Sequence, residues 1–297
     1  MDITSYLLGK KAGGGGGGEN KWRELGYPND PSTFNDAYTY AKNIYDNWDE
    51  TQTSMLNKYQ SDNNLAIFPL VNLENVTTME NAFNGSFLIQ IPDNLNTSNV
   101  ENMYFAFSNC CSLKKVTINT SKSTDCTNMF NGCIVLEEVG NLDLRKAPKI
   151  TNMFKGCNNL KTIGTIQGLS TTSSNANASS MFYNCTKLVN APSFDTSKYK
   201  RLGSMYYNCL ALENVPIYNF SSIENANNSV SSMFYNCRKL TNESLNNILA
   251  SLKTATGITT ASYKTLKAVG LSSTQATTCT SLSNWADLES AGWTTGY

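Results

Sequence analysis

The chain has 297 residues, with 23 basic and 23 acidic side chains and no histidine, so its formal net charge is zero. Balanced charge supplies no basic stripe for nucleic acid, and the lack of histidine removes the usual general base and the Ser-His and Cys-His nucleophiles. The composition predicts no catalytic residue, no cofactor and no nucleic-acid partner. One enzymatic alternative stays open, because two carboxylates from different parts of a fold can meet in space and act on a glycan.

Residues 1–18 form a short leader followed by six consecutive glycines at 13–18. A glycine run imposes no conformation and makes a flexible tether. Ile3, Tyr6, Leu7 and Leu8 give the leader an apolar side that can dock onto another protein, although a disordered terminus explains them equally well. Residues 1–12 lack the apolar run of a secretory signal, and no segment of about 20 apolar residues is present, so no membrane insertion is expected.

Residues 19–68 are predicted to form a helical N-terminal cap. The helix signal begins at residue 31, with Ser32 or Thr33 as the N-cap, and the helix is expected to end near residue 48; Phe34, Tyr38 and Ile44 recur in it at helical spacing. A stack of repeats needs such a cap to cover the core of its first unit.

Residues 69–241 carry the most informative pattern, the frame M-F-x-[N/G]-C-x-x-L. The cysteine position of the frame recurs at steps of 24, 23, 24, 28, 24 and 28 residues, at Ser86, Cys110, Cys133, Cys157, Cys185, Cys209 and Cys237. A period of roughly 20–29 residues is the signature of leucine-rich repeats. The predicted fold class is an α/β solenoid of seven coils of about 24 residues, each with a short helical turn and a short parallel strand, between helical caps.

Two small-residue positions of the frame predict backbone conformation. The residues before the Met position are expected to be N-caps of the helical turn: Asn81, Asn128, Asn152, Ser180, Ser204 and Ser232. Only Gly or Asn precedes the cysteine position, and both tolerate positive φ, so a left-handed residue is expected there. Inserted residues at 173–179 and 226–230 predict two bulging turns.

The frame cysteines are predicted to be buried, reduced thiols that pack as small hydrophobic groups. Coils would lie about 4.8 Å apart with equivalent side chains pointing the same way, which keeps the sulfurs farther apart than the roughly 2 Å of a disulfide. The chain has no C-x-x-C pair, and no metal site is expected.

Residues 242–297 are predicted to be a divergent last coil and a helical C-terminal cap. Segments 242–252, 272–282 and 283–291 have helical patterns. Between them, Leu266-x-x-Val269-x-Leu271 matches the strand frame of Leu113-x-x-Val116-x-Ile118.

The repeated motifs resemble a known family. Thr97-Ser98-Asn99-Val100, Asp195-Thr196-Ser197 and the repeated Met-Phe-x-Asn-Cys are similar to the BspA-like leucine-rich repeats in their mycoplasma-type variant, over about residues 69–240. Ala82 and Ala106 at the Met position depart from that pattern. The leader with its glycines and the ending at 282–297 resemble structural and BspA-like proteins encoded by phages and prophages of gut Firmicutes.

The resemblance implies a non-catalytic, virion-associated adhesion or recognition protein, made in the bacterial cytoplasm and carried on a phage particle. Other virion proteins would hold residues 1–20, and the solenoid would bind a cell-surface glycan or protein. The alternatives are a bacterial cell-surface BspA-like adhesin and a purely architectural virion decoration or fibre protein. A homo-oligomer fits each of these, although no heptad repeat enforces one.

Two rows of residues are candidate ligand-binding sites. Tyr183, Tyr207 and Tyr235 share one position on successive coils, so they are expected either to bind a sugar or protein as an aromatic ladder, or to pack on each other and shield the edge of the coils. The second row lies on the strand face and contains Lys115, Glu138, Thr162, Asn190 and Asn214.

Overall fold

The computed structural model describes residues 76–85, 91 and 95–297. The predicted leader, tether and N-terminal cap, including Ile3, Tyr6, Leu7 and Leu8, lie outside the described residues, as does Ser86. The described part consists of repeats joined by parallel backbone pairing, followed by a helical C-terminal region.

Short parallel strands join the middle repeats. Strands β1 (Lys115–Val116), β2 (Glu138–Val139) and β4 (Thr162–Ile163) form a sheet in the order β1-β2-β4, and β3 (Leu142–Asp143) pairs with β5 (Ile166–Gln167). Each strand has only two residues, and within each the side chains point alternately outward and into the core, as Lys115 and Val116 show.

A second line of pairing connects the repeats along another side. Single parallel bridges join, one after the next, Thr78, Asn102, Asp125, Lys149, Asn177 and Arg201. The steps between these residues are 24, 23, 24, 28 and 24, the same as the first five steps of the cysteine frame. Each repeat therefore lies against the next in sequence order, and the four-residue insertion before Asn177 is accommodated without breaking the register.

The frame segment is a run of tight turns, which differs from the predicted helical turn. Alternate N–H groups donate to the next repeat, and those between them donate three residues back along the chain. In segment 128–133, Phe130 N–H donates to the carbonyl of Met153 at 2.9 Å, whereas Cys133 N–H donates to the carbonyl of Phe130 at 3.2 Å. An α-helix would keep all of these bonds inside one segment.

Two left-handed residues in each frame segment explain why no helix forms. The prediction of positive φ before the cysteine position is confirmed at Gly85, Asn109, Gly132, Gly156, Asn184, Asn208 and Asn236. The prediction of N-caps before the Met position is wrong, because Asn81, Asn128, Asn152, Ser180, Ser204 and Ser232 also have positive φ, between 53° and 57°. An N-cap has extended backbone, whereas a left-handed third residue is what a type II turn requires.

The Asx-Thr-Ser motifs form a corner of each repeat. The Asn96 and Asp195 side chains accept the backbone N–H groups of Ser98 and Ser197, which closes a local turn. The intervening threonines are buried, and each donates its hydroxyl to a carbonyl of the next repeat: Thr97 to Asn119, Thr120 to Asp143 and Thr196 to Asn219, at 2.7–2.9 Å. The threonine of each motif thus forms part of the contact between repeats.

Aromatic rings fill the centre of the stack. The phenylalanine column consists of Phe83, Phe107, Phe130, Phe154, Phe182, Tyr206 and Phe234, all at most 1% exposed. Neighbouring rings are nearly parallel, with centroids 5.3–5.7 Å apart and interplanar angles of 4–11°. Truncating one such ring to alanine typically costs about 3–5 kcal/mol, so the column contributes strongly to stability.

The C-terminal region contains α1 (Asn242–Lys253), a 3-10 helix (Ala261–Tyr263), α2 (Leu266–Val269), α3 (Ser273–Cys279) and α4 (Trp285–Ser290). Helices α3 and α4 lie within two of the segments with helical patterns, and α1 covers the third and ends one residue beyond it. The strand predicted at 266–271 is wrong, because Leu266–Val269 is one helical turn. Thr265 caps its start and left-handed Gly270 ends it, and the three-residue spacing of Leu266 and Val269 places both in the core.

Helix α2 covers the last frame segment. Ser232 N–H donates to the Ala268 carbonyl at 2.7 Å and Phe234 N–H to the Val269 carbonyl at 3.0 Å, so α2 takes the place of a next repeat. From α3, the Gln275 side chain donates to the Cys237 carbonyl at 2.8 Å. Two backbone donors, of Ser232 and Phe234, and one acceptor, the Cys237 carbonyl, are therefore used at what would otherwise be an open edge.

Ser204 tests the turn geometry, because its φ of 55° is unfavourable for a branched side chain. We expect Ser204→Val to lower the free energy of unfolding by about 1–3 kcal/mol, and Ser204→Gly to leave it unchanged or raise it. Urea unfolding followed by circular dichroism measures both variants. Ser193→Val, at an exposed residue without positive φ, is the matched control, and an equal loss in both valine variants would contradict the assignment.

Candidate functional site

The frame thiols form hydrogen bonds between repeats. Each donates to the carbonyl of the phenylalanine-column residue one repeat earlier, at 3.0–3.2 Å, and this holds for Cys110, Cys133, Cys157, Cys185, Cys209 and Cys237. We call these six residues the cysteine column. The sequence interpretation assigned them packing alone. Ser86 at the same frame position was the available signal, because Ser and Cys both combine small size with one donor.

All nine cysteines are free thiols, and all except Cys111 are buried, which confirms the predicted buried, reduced state. Burial raises the pKa of Cys126, Cys237 and Cys279 to about 12, and burial also raises the pKa of Cys157 and Cys185. The thiolate is the reactive form of cysteine. At neutral pH these side chains are therefore protonated, and those of the cysteine column are donors that hold repeats together.

The carboxylates with shifted pKa values are ion-pair partners. A hydrogen bond from Lys161 lowers the pKa of Glu137, and one from Arg145 lowers the pKa of Asp143. Burial disfavours the charged form of Glu224 and by itself would raise its pKa. Hydrogen bonds from Lys200 and Arg201 outweigh this effect, so the pKa of Glu224 is lowered. A carboxyl that acts as a general acid needs the opposite shift. Within residues 76–85, 91 and 95–297, no three His, Cys, Asp or Glu side chains gather to hold a metal ion.

The strand-face row is aligned but largely engaged with itself. Lys115 lies opposite Glu138, and their side chains form an ion pair at 3.4 Å. Asn214 donates its side-chain amide to the side-chain oxygen of Asn190 at 2.7 Å, and Thr162 lies beside Glu138 in the register. All five residues are exposed. Because the charges neutralise each other and the two amides are bonded together, this row offers few unused groups to a ligand.

The tyrosine row, Tyr183, Tyr207 and Tyr235, is brought together as a stack. The ring centroids are 4.6 Å apart at both steps, with interplanar angles of 3° and 20°. The Lys155 ammonium lies 5.1 Å from the Tyr183 ring centroid, on the same frame position one repeat earlier. The rings therefore pack on each other, as one of the two alternatives predicted, and no sugar ring fits between them.

The hydroxyl groups of the tyrosine row are nevertheless unused. Tyr235 is 49% exposed, and Tyr183 and Tyr207 are half-buried. In the part of the chain that the structure describes, none of the three hydroxyls has a hydrogen-bond partner, whereas buried Tyr199, Tyr206 and Tyr218 all do. The row thus presents three free hydroxyls and ring edges at a regular spacing.

Desolvation raises the pKa of the Tyr207 hydroxyl, and the neighbouring Tyr183 and Tyr235 raise it as well.

An amide row supports the tyrosines. The residue after each tyrosine is a left-handed asparagine, and the amide of Asn208 donates to Asn184 at 3.0 Å while that of Asn236 donates to Asn208 at 2.9 Å. From the sequence, a conformational role is favoured for these asparagines over a ligand-binding row, because Gly replaces Asn freely at this position. Their amides also connect three repeats beside the aromatic stack, which fixes the relative positions of the three rings.

Comparison with known families identifies the repeat. A repeat family described as "Mycoplasma protein of unknown function, DUF285" matches residues 53–165 and 161–264, together 53–264, or 212 of the 297 residues. The chain belongs to this family. The match spans every frame segment of the predicted 69–241 region and agrees with a mycoplasma-type repeat protein. No curated protein and no solved structure matches the chain.

In the described part of this DUF285 chain, no helix combines the length and apolar character that crossing a membrane requires.

Thiol accessibility tests the cysteine column. We expect a thiol-reactive dye to modify one cysteine rapidly in the native protein, Cys111, and all nine in denaturant, because the other eight are buried. Cys111→Ser should remove the rapid phase. Rapid modification of several thiols in native Cys111→Ser would contradict the buried column.

The raised thiol pKa values predict loss of stability in alkali. The unfolded chain releases these protons above about pH 8.5, whereas the folded chain retains them until the pH approaches the raised values. Stability is thus fully present below about pH 8.5 and falls as the pH rises, by up to about 1.4 kcal/mol per pH unit for each buried thiol. Urea midpoints between about pH 7 and pH 10 measure this.

The double variant Cys157→Ala, Cys185→Ala is the control for the dependence of the urea midpoint on pH. Removing two of the buried thiols should make the decline shallower while lowering stability at pH 7 by a few kcal/mol, because two donors and some packing are lost. A midpoint that is independent of pH in the unmodified protein would contradict the account.

Proposed function

We propose that this protein is a non-catalytic recognition protein whose tyrosine row contacts its ligand. The observation that carries the proposal is the set of three unpartnered hydroxyls on stacked rings, held in place by the neighbouring asparagine amides. Tyrosine suits recognition because it combines an apolar body with a polar tip. Solenoid-like stacks in general present such rows on extended binding surfaces.

The stack geometry restricts how a ligand would bind. Rings 4.6 Å apart have their inner faces filled by each other, and the Lys155 ammonium lies over Tyr183. A ligand therefore meets ring edges, three hydroxyls and one cation along a line. A linear ligand with repeated hydrogen-bonding groups matches that line, and a cell-surface glycan chain or an extended protein segment has this character.

Rigidity of the scaffold supports the same proposal. The residue immediately before each tyrosine, Phe182, Tyr206 or Phe234, belongs to the buried phenylalanine column, so the backbone beneath the row is anchored in the core. A row that is already ordered before binding loses little conformational entropy on contact. The strand-face row is the weaker candidate, because Lys115 with Glu138 and Asn190 with Asn214 already form pairs.

Replacing the tyrosine row tests this function. We expect the triple variant Tyr183→Ser, Tyr207→Ser and Tyr235→Ser to lose binding on an array of bacterial and host glycans and on whole cells. Its midpoint of thermal unfolding should shift little, because the rings lie outside the core. Ile217→Ser, which removes an apolar side chain that is 61% exposed, is the control and should bind normally. Unchanged binding in the triple variant would refute the proposal.

For the biological setting we propose a phage particle, with residues 1–20 held by other virion proteins. The resemblance of the leader and of the ending at 282–297 to proteins encoded by phages and prophages supports this setting. The alternatives are a bacterial cell-surface adhesin and an architectural virion protein, decoration or fibre. Mass spectrometry of purified phage particles and of cell envelopes distinguishes the two virion settings from the cell-surface adhesin. Peptides from residues 1–12 at constant stoichiometry in virions are expected, and their restriction to the envelope would favour the adhesin.

A further inference from the structure

A cleft opens where the last repeat meets the C-terminal region. One wall comes from the inserted segment 226–230 and the two residues after it, and the other comes from residues 262–268. Its volume is about 320 Å³, which lies at the lower end of the range typical of small-molecule sites. The four-residue insertion that lengthens the last repeat step to 28 residues therefore builds one side of the cleft.

The lining is polar on its walls and apolar beneath. Ser231, Ser232, Ser262 and Tyr263 line the cleft, and within the described residues their hydroxyls have no hydrogen-bond partner. Val230 and two alanines, Ala226 and Ala268, supply apolar surface. Four unused hydroxyls beside an apolar surface suit a small polyol. Its hydroxyls can form hydrogen bonds with the hydroxyls of the cleft, and its C–H groups can pack against the apolar surface.

Lys267 gives the cleft its charge. Its ammonium lies 5.2 Å from the ring centroid of Tyr297, and the Tyr297 hydroxyl donates to the Leu271 carbonyl, which holds the ring in place. Among the described residues, Lys267 forms no salt bridge and no acidic side chain lines the cleft. The local field therefore favours an anionic group over a cation.

The cleft is built before any ligand arrives. The Ser232 N–H donates to the Ala268 carbonyl at 2.7 Å, which ties one wall to the other. Gly270, just beyond the second wall, packs so closely that a Cβ there would lie 2.6 Å from the Tyr235 nitrogen. Two walls joined in this way need little rearrangement to bind a ligand.

We propose that this cleft binds a small sugar acid, with the hydroxyls of Ser231, Ser232, Ser262 and Tyr263 on the sugar hydroxyls and Lys267 on its carboxylate. The site uses none of the residues of the tyrosine row, so the proposal for the cleft and the proposal for the tyrosine row can each be refuted independently. The cleft would thus be a binding site for one monosaccharide at the end of the stack, in addition to the tyrosine row.

Ligand-observed NMR on the full chain tests the cleft, with glucuronate as the probe at constant ionic strength. Glucose shares the hydroxyls without the charge, and acetate shares the charge without the hydroxyls. We expect saturable binding of glucuronate that is about tenfold tighter than that of either comparison compound, because a charged hydrogen bond and the hydroxyl contacts act together. Equal affinity for all three compounds would overturn the proposal, and so would no saturable binding of glucuronate.

Two variants locate the binding. Lys267→Gln should weaken glucuronate binding about tenfold and leave glucose binding unchanged. Lys239→Gln, on an exposed lysine outside the cleft, is the matched control and should bind like the unmodified protein. Ala226→Phe fills the cleft from the insertion side and should abolish binding of both sugars with an unchanged unfolding midpoint. Normal glucuronate binding in either Lys267→Gln or Ala226→Phe would place it elsewhere and refute the site.

Discussion

The hydrogen bonds between neighbouring frame segments determine the rest of the structure. Alternate N–H groups in a segment donate to carbonyls of the next repeat, as Phe130 donates to Met153 and Phe154 to Met181. Equivalent residues are therefore held one above the other at nearly constant spacing. Any side chain that the sequence repeats becomes a column, whether it is the phenylalanine column inside, the cysteine column beside it or the tyrosine row at the surface.

This arrangement has a conformational cost that the composition offsets. Each frame segment contains two left-handed residues, and many are Asn or Ser, which pay more for positive φ than Gly does. Asn recovers part of that cost through side-chain bonds between repeats, as Asn208 does with Asn184. Burial of a ring and aliphatic groups in each repeat, and of a thiol in six of them, supplies the larger compensating term.

Much of this could be predicted from the sequence, because a period is visible wherever residues recur. The step lengths, the buried free thiols, the left-handed Gly and Asn positions and the C-terminal helical segments follow from spacing and residue type. The N-caps were wrong because Asn and Ser favour both helix starts and left-handed turns, and only the backbone angles distinguish the two. The strand at Leu266 was wrong because a three-residue spacing suits one helical turn equally well.

The candidate sites were less predictable, for a physical reason. The sequence placed Tyr183, Tyr207 and Tyr235 in one row, but ring orientation and unused hydroxyls depend on how repeats stack. The thiol–carbonyl bonds likewise join residues 26–31 positions apart and leave no local signal beyond the choice of Cys or Ser. The cleft was invisible because its walls come from an insertion and from the helical region that follows the repeats.

All of these columns require the repeats to be equivalent units that stack in register. Removing residues 134–157 deletes one full 24-residue step and joins Cys133 to Asn158, which restores the frame, whereas removing 134–153 does not. Thermal and urea unfolding of the two deletion variants, followed by circular dichroism, is the most direct test. The in-register deletion should fold cooperatively with a lower urea m-value, and the other should lose cooperative unfolding. Loss of folding in both variants, or equal stability of both, would contradict the account.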